Sequence, residues 1–374
     1  MNIADTLESL RAAGNLRTLP PDTPEGTVDL SSNDYLGLAD DVALRERFLD
    51  THPPQSLWMT SSASRLLAGR QQPYAALERL LADSYGGGRE ALLFNSGYHA
   101  NTGLVSALAD SRTLIAADRL VHASIIDGVR LSGAHMERWR HGDYDHLERI
   151  LARHASQYAD VLIIAESVYS MDGDRADLRR LADIKRRTPG ARLYIDEAHA
   201  VGVCGPAGLG VAAEEGVLAD IDILVGTLGK ALASSGAFAI LEPQMRRFMV
   251  NRSRSLIFST ALPPACADWS ALTWQASLDG DWRRERLAVL ARMLVAAIPG
   301  GEPSHIRPLL VGDASRSVAL SERLLALGFK VLPIRTPTVP PGTERLRFSL
   351  SASLSPDDIH RLDLALKSLA DDAI

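Results

Sequence analysis

Val161-Leu162-Ile163-Ile164-Ala165-Glu166-Ser167-Val168-Tyr169-Ser170 opens with five apolar residues and then turns polar without a break. A run so short and so uniformly apolar reads as a strand covered on both faces, ending where the polar residues begin. The pattern recurs on either side, at 91–94, 113–117, 136–139, 193–195 and 223–226. Helical spacing fills 99–109, 122–131, 145–154 and 177–187 between these runs. Strands alternating with helices of this length predict βαβ units and a mainly parallel sheet. Residues 236–241 read as one more strand, and Leu77, Leu80 and Leu81 place a helix over 73–84. An amphipathic helix is expected at 3–16, closed by Pro20-Pro21-Asp22-Thr23-Pro24. Beyond a break near 250–262, long helices over 265–298 and a strand, helix, strand, strand, helix order over 306–372 predict a smaller α+β domain. The expected division is an N-terminal arm at 1–45, a large α/β domain at 46–255 and a C-terminal domain at 256–374.

The 374 residues carry 40 Lys plus Arg against 46 Asp plus Glu, a formal net charge of −6. With no basic tract, nucleic-acid binding is not expected. Cys204 and Cys266 are the two cysteines. They exclude a disulfide scaffold and a Cys-rich zinc module, and they fit a cytoplasmic protein. The first residues lack the basic start and apolar core of a signal peptide. The apolar runs fall far short of the ~20 residues of a membrane span, so no membrane contact is expected.

In an open parallel sheet, ligands bind beyond the carboxyl ends of the strands. Each end here presents polar groups: Asn95-Ser96-Gly97-Tyr98-His99, Asp118 leading to His122, Glu166 to Gly173, Asp196-Glu197-Ala198-His199, and Thr227-Leu228-Gly229-Lys230. Lys230 follows a buried-looking strand among small residues. A desolvated amine there is suited to Schiff-base chemistry, although a surface lysine at a helix start fits the same pattern. Asp196 could keep a pyridine nitrogen protonated, with His199 near the ring's phenolic oxygen; the plain alternative is a cap on the next element. Gly97 and Tyr98 open a helix whose N–H groups suit a phosphate, and Thr227 could add a hydroxyl. His122 could lie on a cofactor ring, and Ser170 could donate to a cofactor oxygen. An exposed histidine and a turn hydroxyl are the plain readings of those two.

Taken together, Ser31-Ser32-Asn33-Asp34-Tyr35-Leu36-Gly37, Ser170-Met171-Asp172-Gly173, Asp196-Glu197-Ala198-His199 and Thr227-Leu228-Gly229-Lys230 resemble the α-oxoamine synthase family over about residues 10–370. The resemblance implies an α/β protein of the aspartate-aminotransferase type (fold type I), with pyridoxal 5′-phosphate as cofactor and no metal. It implies that Lys230 is the Schiff-base lysine and the base at Cα, and that Asp196 is the pyridine partner. Gly97, Tyr98 and Thr227 would serve the phosphate, His122 would stack on the ring, and Ser170 and His199 would bond around its hydroxyl. Arg17, Asn33, Thr338 and Arg347, with Arg335 nearby, become candidates for substrate carboxylates or the acyl chain. Strand-edge solvation is the plain reading of Arg345 and Arg347, whose alternation lets one face inward.

Within the family, the segment from Ile334 to Arg347 is most similar to the branch serving biotin synthesis. That branch implies condensation of L-alanine with a pimeloyl thioester and loss of CO2. The acyl group would ride on coenzyme A or an acyl carrier protein, and the enzyme would be a homodimer with shared sites. The enzymes making 5-aminolevulinate and 2-amino-3-ketobutyrate are the alternative. Members often carry a glycine-rich stretch where this chain has Thr60-Ser61-Ser62-Ala63-Ser64-Arg65.

Three rival readings remain. Gly208-Leu209-Gly210-Val211-Ala212-Ala213 matches a dinucleotide-binding fingerprint, yet no strand directly precedes it. A non-catalytic regulator on this fold would need a DNA-binding extension, which is not evident. His135, His141 and His146 lie close in sequence but without metal-ligand spacing.

Overall fold

The computed structural model of the chain describes residues 2–371. In chain order the strands are β1 (Val28–Asp29), β2 (Glu90–Phe94), β3 (Thr113–Asp118), β4 (His135–Trp139), β5 (Asp160–Glu166), β6 (Ala191–Asp196), β7 (Ile223–Thr227), β8 (Ala237–Leu241), β9 (Ile306–Leu310), β10 (Phe329–Lys330), β11 (Leu332–Ile334) and β12 (Arg345–Ser349). Two compact units form: a larger one from Leu36–Tyr169 and Arg175–Asp281, and a smaller one from the segment ending at Tyr35, Ser170–Asp174 and the chain from Trp282 onward.

In the larger unit seven strands form one sheet in the order β2-β8-β7-β6-β5-β3-β4. Only β8 runs against its neighbours, β2 and β7. The carboxyl ends of β2, β7, β6, β5 and β3 therefore share one edge. The apolar runs are buried as their composition requires; Ile115, Ile164, Tyr194, Ile223 and Val225 expose none of their surface. They pack with Leu104 and Val105 of the helix Gly97–Leu108 and with Ile125 and Val129 of the helix Ala123–Ser132. These two helices touch at Gly128. A Cβ there would stand 2.9 Å from Val105 Cβ and 3.0 Å from the Asn101 carbonyl, so only glycine permits the approach.

The smaller unit holds the three-stranded sheet β11-β12-β9 and the short pair β1-β10. The helix Ala314–Ala326 packs beside them, and the unit also contains the helices Asp281–Ala297 (from Trp282 on) and Pro356–Asp371.

The unit boundaries fall at 35/36 and 281/282, not at 45/46 and 255/256. The reason is packing. The helix Pro264–Leu278 lies on the helix Gln72–Tyr85, where Trp274 Nε1 donates to Ser84 Oγ at 2.9 Å and the Trp274 ring meets Phe238 edge-on at 5.5 Å. At the other boundary, Leu36 and Leu38 are fully buried. The first helix stops at Ala12, ahead of Gly14 with its φ of 66°. The C-terminal segment has one more short strand than expected, because β10 and β11 are separate pieces.

Candidate active site

The polar residues at the shared strand edge are tied by hydrogen bonds in sets, and the charge of Lys230 is felt at His122 and Glu166. Asp196, at the end of β6, is 4% exposed. Its Oδ1 accepts from Ala198 N and its Oδ2 from Asn101 Nδ2, each at 2.8 Å. Lys230 follows β7, and its Nζ lies 2.8 Å from His199 Nε2. Thr227 Oγ1 donates to the Gly236 carbonyl at 3.2 Å and accepts from Gly229 N at 3.2 Å, which shapes the turn leading to Lys230. His122 caps the helix Ala123–Ser132; its Nδ1 is 2.7 Å from Ser124 Oγ and its N–H donates to Glu166 Oε1 at 2.5 Å.

Charge follows burial here. Glu166 is the direct partner of Asp196 across β5 and β6. Burial, then the Asp196 charge, push its carboxyl well above the usual range, against the pull of Lys230 and the His122 N–H. Burial holds His122 below the usual histidine range; Asp196 opposes that shift and Lys230 reinforces it.

Gly97 starts its helix behind the cap Ser96, and a Cβ on it would meet nothing within 4 Å. Space is therefore open at a helix start whose N–H groups favour an anion. Tyr98 is 47% exposed and donates to Asp127 Oδ2 at 2.6 Å. An open helix start, a buried carboxylate, an imidazole and a lysine amine make a donor set that fits a phosphorylated pyridine aldehyde.

The smaller unit carries the remaining sequence candidates. Arg347 is 4% exposed on β12. Its Nε donates to the Ser170 carbonyl at 2.6 Å, and its Nη2 reaches Asn33 Oδ1 at 3.1 Å and Tyr35 OH at 3.3 Å. Arg345, on the same face, is ion-paired to Asp172. Strand-edge solvation therefore describes neither arginine: β12 is the central strand of its sheet. Arg17 donates to Thr338 Oγ1 at 3.0 Å and Arg335 to the Gly14 carbonyl at 2.6 Å. Burial, reinforced by the Arg17 charge, holds Arg335 below the usual range. Among the described residues, Arg17, Arg335 and Arg347 have no acidic partner.

The structure also disposes of the rival motifs. Glu197 is fully buried, and its carboxylate takes Ser167 Oγ at 2.6 Å, Val211 N at 3.1 Å and Ala212 N at 2.8 Å. The amides of the Gly-rich turn are thus occupied by a side chain of the chain itself. Gly210, at φ 101°, is needed because a Cβ would stand 2.7 Å from Glu197 Oε2. His141 contacts Asp118, His135 contacts Glu137, and no cluster among the described residues could hold a metal. In the stretch 60–65, Ser62 takes a φ of 54° and its N–H donates to Thr60 Oγ1 at 3.0 Å, so a serine adopts the turn that glycine would favour.

Asn101, Ser124, Tyr194 and the role of Glu166 escaped the sequence reading. Asn101 sits one turn inside a helix and Ser124 inside another, where no spacing rule marks a polar residue.

The family described as aminotransferase class I and II matches residues 25–365. The chain belongs to it, and within it to the α-oxoamine synthases. The 8-amino-7-oxononanoate synthase of Chlorobaculum parvum is 46% identical, with 98% of each chain covered. Among solved structures, a serine palmitoyltransferase from S. paucimobilis with bound PLP–myriocin superposes with a TM-score of 0.89 at 27% identity, over 100% of this chain and 98% of the other. The 8-amino-7-oxononanoate synthase of Francisella tularensis superposes with a TM-score of 0.75 at 27% identity, over 94% of this chain and 100% of that one. The aspartate-aminotransferase-type fold expected from the sequence is the fold of this family.

Proposed function

We propose that the protein is a pyridoxal-5′-phosphate-dependent 8-amino-7-oxononanoate synthase, joining L-alanine to a pimeloyl thioester with loss of CO2 in biotin synthesis. The observation that carries this reading is the Lys230 amine held against His199 on the strand edge that also buries Asp196. The 46% identity to a relative of that name supports the substrates.

When bound, pyridoxal phosphate supplies an electron sink for a carbanion at the amino acid's Cα. Lys230 would hold the cofactor through Nζ and, as a free amine, take the Cα proton and return it. His199, at 2.8 Å, is placed to orient that amine. Asp196 would hold the ring nitrogen protonated; its two N–H donors fix both oxygens. His122 would cover the ring face. Gly97, Tyr98 and Thr227 would hold the phosphate. In the smaller unit, Arg347 has only neutral oxygens as partners among the described residues, so its charge is left for a substrate carboxylate, with Asn33 fixing the guanidinium. Arg345 is spent on Asp172. Arg17 and Arg335, two guanidiniums without an acid, suit the distal carboxylate of the acyl group, with Thr338 orienting Arg17.

The protein acts as a homodimer with shared sites. Leu131 and Phe258, each 71% exposed, line one groove of ≈ 540 Å³, as a surface awaiting a second chain would. It works in the cytoplasm, with Cys204 and Cys266 as free thiols. No helix among the described residues is long and apolar enough to cross a membrane.

The test is incubation with L-alanine, glycine and a panel of acyl thioesters on coenzyme A and on a carrier protein, with products identified by mass. The expected product is 8-amino-7-oxononanoate. An amino ketone formed from glycine in its place would move the protein to a sister activity of the family.

A further inference from the structure

Two residues without an assigned role connect the two groups on which cofactor electronics depend. Asn101 is 2% exposed, and its Nδ2 donates to Asp196 Oδ2 at 2.8 Å and to Ser124 Oγ at 2.9 Å. A carboxylate only accepts, so the amide must turn its NH2 toward Asp196. Its Oδ1 then takes the Tyr194 hydroxyl at 2.6 Å. Ser124, fully buried, accepts from Asn101 and so keeps its own proton to donate. The acceptor in reach is His122 Nδ1 at 2.7 Å, which also receives Ser124 N–H at 3.2 Å.

We propose that Asn101 and Ser124 are positioning residues that lock His122 as the neutral Nε2–H tautomer and join it rigidly to Asp196. Two donors aimed at one ring nitrogen leave it no room for a proton, so the ring proton sits on Nε2. The need for such a lock follows from the surroundings of His122. Asp196 and Asp127 draw a proton onto the ring, Lys230 repels it, and Glu166 engages only the backbone N–H. A cationic imidazole facing Lys230 and a protonated pyridine ring would oppose both. The close packing at Gly128, against Val105 and the Asn101 carbonyl, keeps the two helices at the separation that the relay requires.

This inference rests on the proposed function only in that His122 is taken to face the cofactor. The experiment is long-range proton–nitrogen NMR on holoenzyme labelled at histidine nitrogen, as a function of pH, for the parent, Ser124→Ala and Ser124→Thr. The parent should show His122 with a bare Nδ1 and a protonated Nε2. Ser124→Ala removes the hydroxyl donor and should raise the pH at which His122 takes up its second proton by about one unit or more, while Ser124→Thr restores the parent value. A proton on Nδ1 in the parent overturns the proposal, and so does unchanged titration in Ser124→Ala. Should Ser124→Ala fail to fold, the parent tautomer alone decides. Cofactor absorbance of the same samples separates the two ideas: protein that takes up no pyridoxal phosphate refutes the proposed function, whereas the wrong tautomer in loaded enzyme refutes only the relay.

Discussion

Replacing Asp196 by Asn separates the electronic role of this residue from a structural one. The amide nearly matches the carboxylate in size but cannot carry its charge. A hydrogen bond to a charged group is worth about 1.5–3 kcal/mol, a factor of about 10 to 150, and that is the expected loss in holding the ring nitrogen protonated. The fold bears a smaller cost. In the parent, both Asp196 oxygens accept, from Asn101 Nδ2 and Ala198 N, each at 2.8 Å. An asparagine must turn its NH2 toward one of these donors. Asn101 can relieve the clash by flipping its own amide, since the Tyr194 hydroxyl on its other side accepts as well as donates, although Ser124 must then give its proton to Asn101 instead of His122. The variant should therefore fold, with a modestly lowered thermal midpoint. L-alanine should still change the cofactor spectrum, while exchange of its Cα hydrogen with deuterated solvent slows at least about 10-fold. Exchange at the parent rate would refute the assignment of Asp196 to the pyridine. Collapse of the fold would show that Asp196 chiefly caps the strand end.

The other expectations concern separate parts of the molecule. Borohydride should fix the cofactor on Lys230, and Lys230→Ala should lose both the label, by peptide mapping, and turnover. Arg347→Lys keeps the charge but not the fork that reaches Ser170 and Asn33; steady-state kinetics should show kcat/KM lower by about 10- to 100-fold. Light scattering should give twice 40.4 kDa, and Phe258→Asp should shift the protein toward monomer. Burial pushes Glu197 up to about 7 from 4.5 against its three hydrogen bonds. The folded state thus holds that proton more tightly than the unfolded state. The linked stability, about 3 kcal/mol, is present below pH 4.5 and is lost as pH rises through about 7. Unfolding midpoints across that window should fall more steeply for the parent than for Glu197→Gln.

Much of this was legible because the parallel sheet writes itself as short apolar runs. Each strand expected in the larger unit is present within one or two residues, and the residues proposed to carry the chemistry, Asp196, His199, Thr227 and Lys230, lie at or just past the carboxyl ends. The boundary of the C-terminal unit was not legible. Whether the helix Pro264–Leu278 belongs to one unit or the other depends on where Trp274 packs, and helical spacing is silent on that. The arginines were ambiguous for a related reason. Alternation says that Arg345 and Arg347 share a face, but only the distant partner Asp172 tells which of them already has its counter-charge.

Glu166 and Asp196 make the same point within the site. Both are acids at the ends of neighbouring strands, paired directly across the ladder, and in sequence they look interchangeable. Two carboxylates so close cannot both ionise cheaply, so their surroundings must choose. Asp196 receives two N–H donors, one on each oxygen. Glu166 is fully desolvated, gains the N–H of His122, and is pushed up by the charge on Asp196. Burial therefore makes Glu166 an acid that holds its proton more readily than usual, and its Oε1 anchors the start of the His122 helix. The donors to Asp196 come from Ala198 and from Asn101, the latter on a helix from another part of the chain, and no local pattern around either acid encodes that difference.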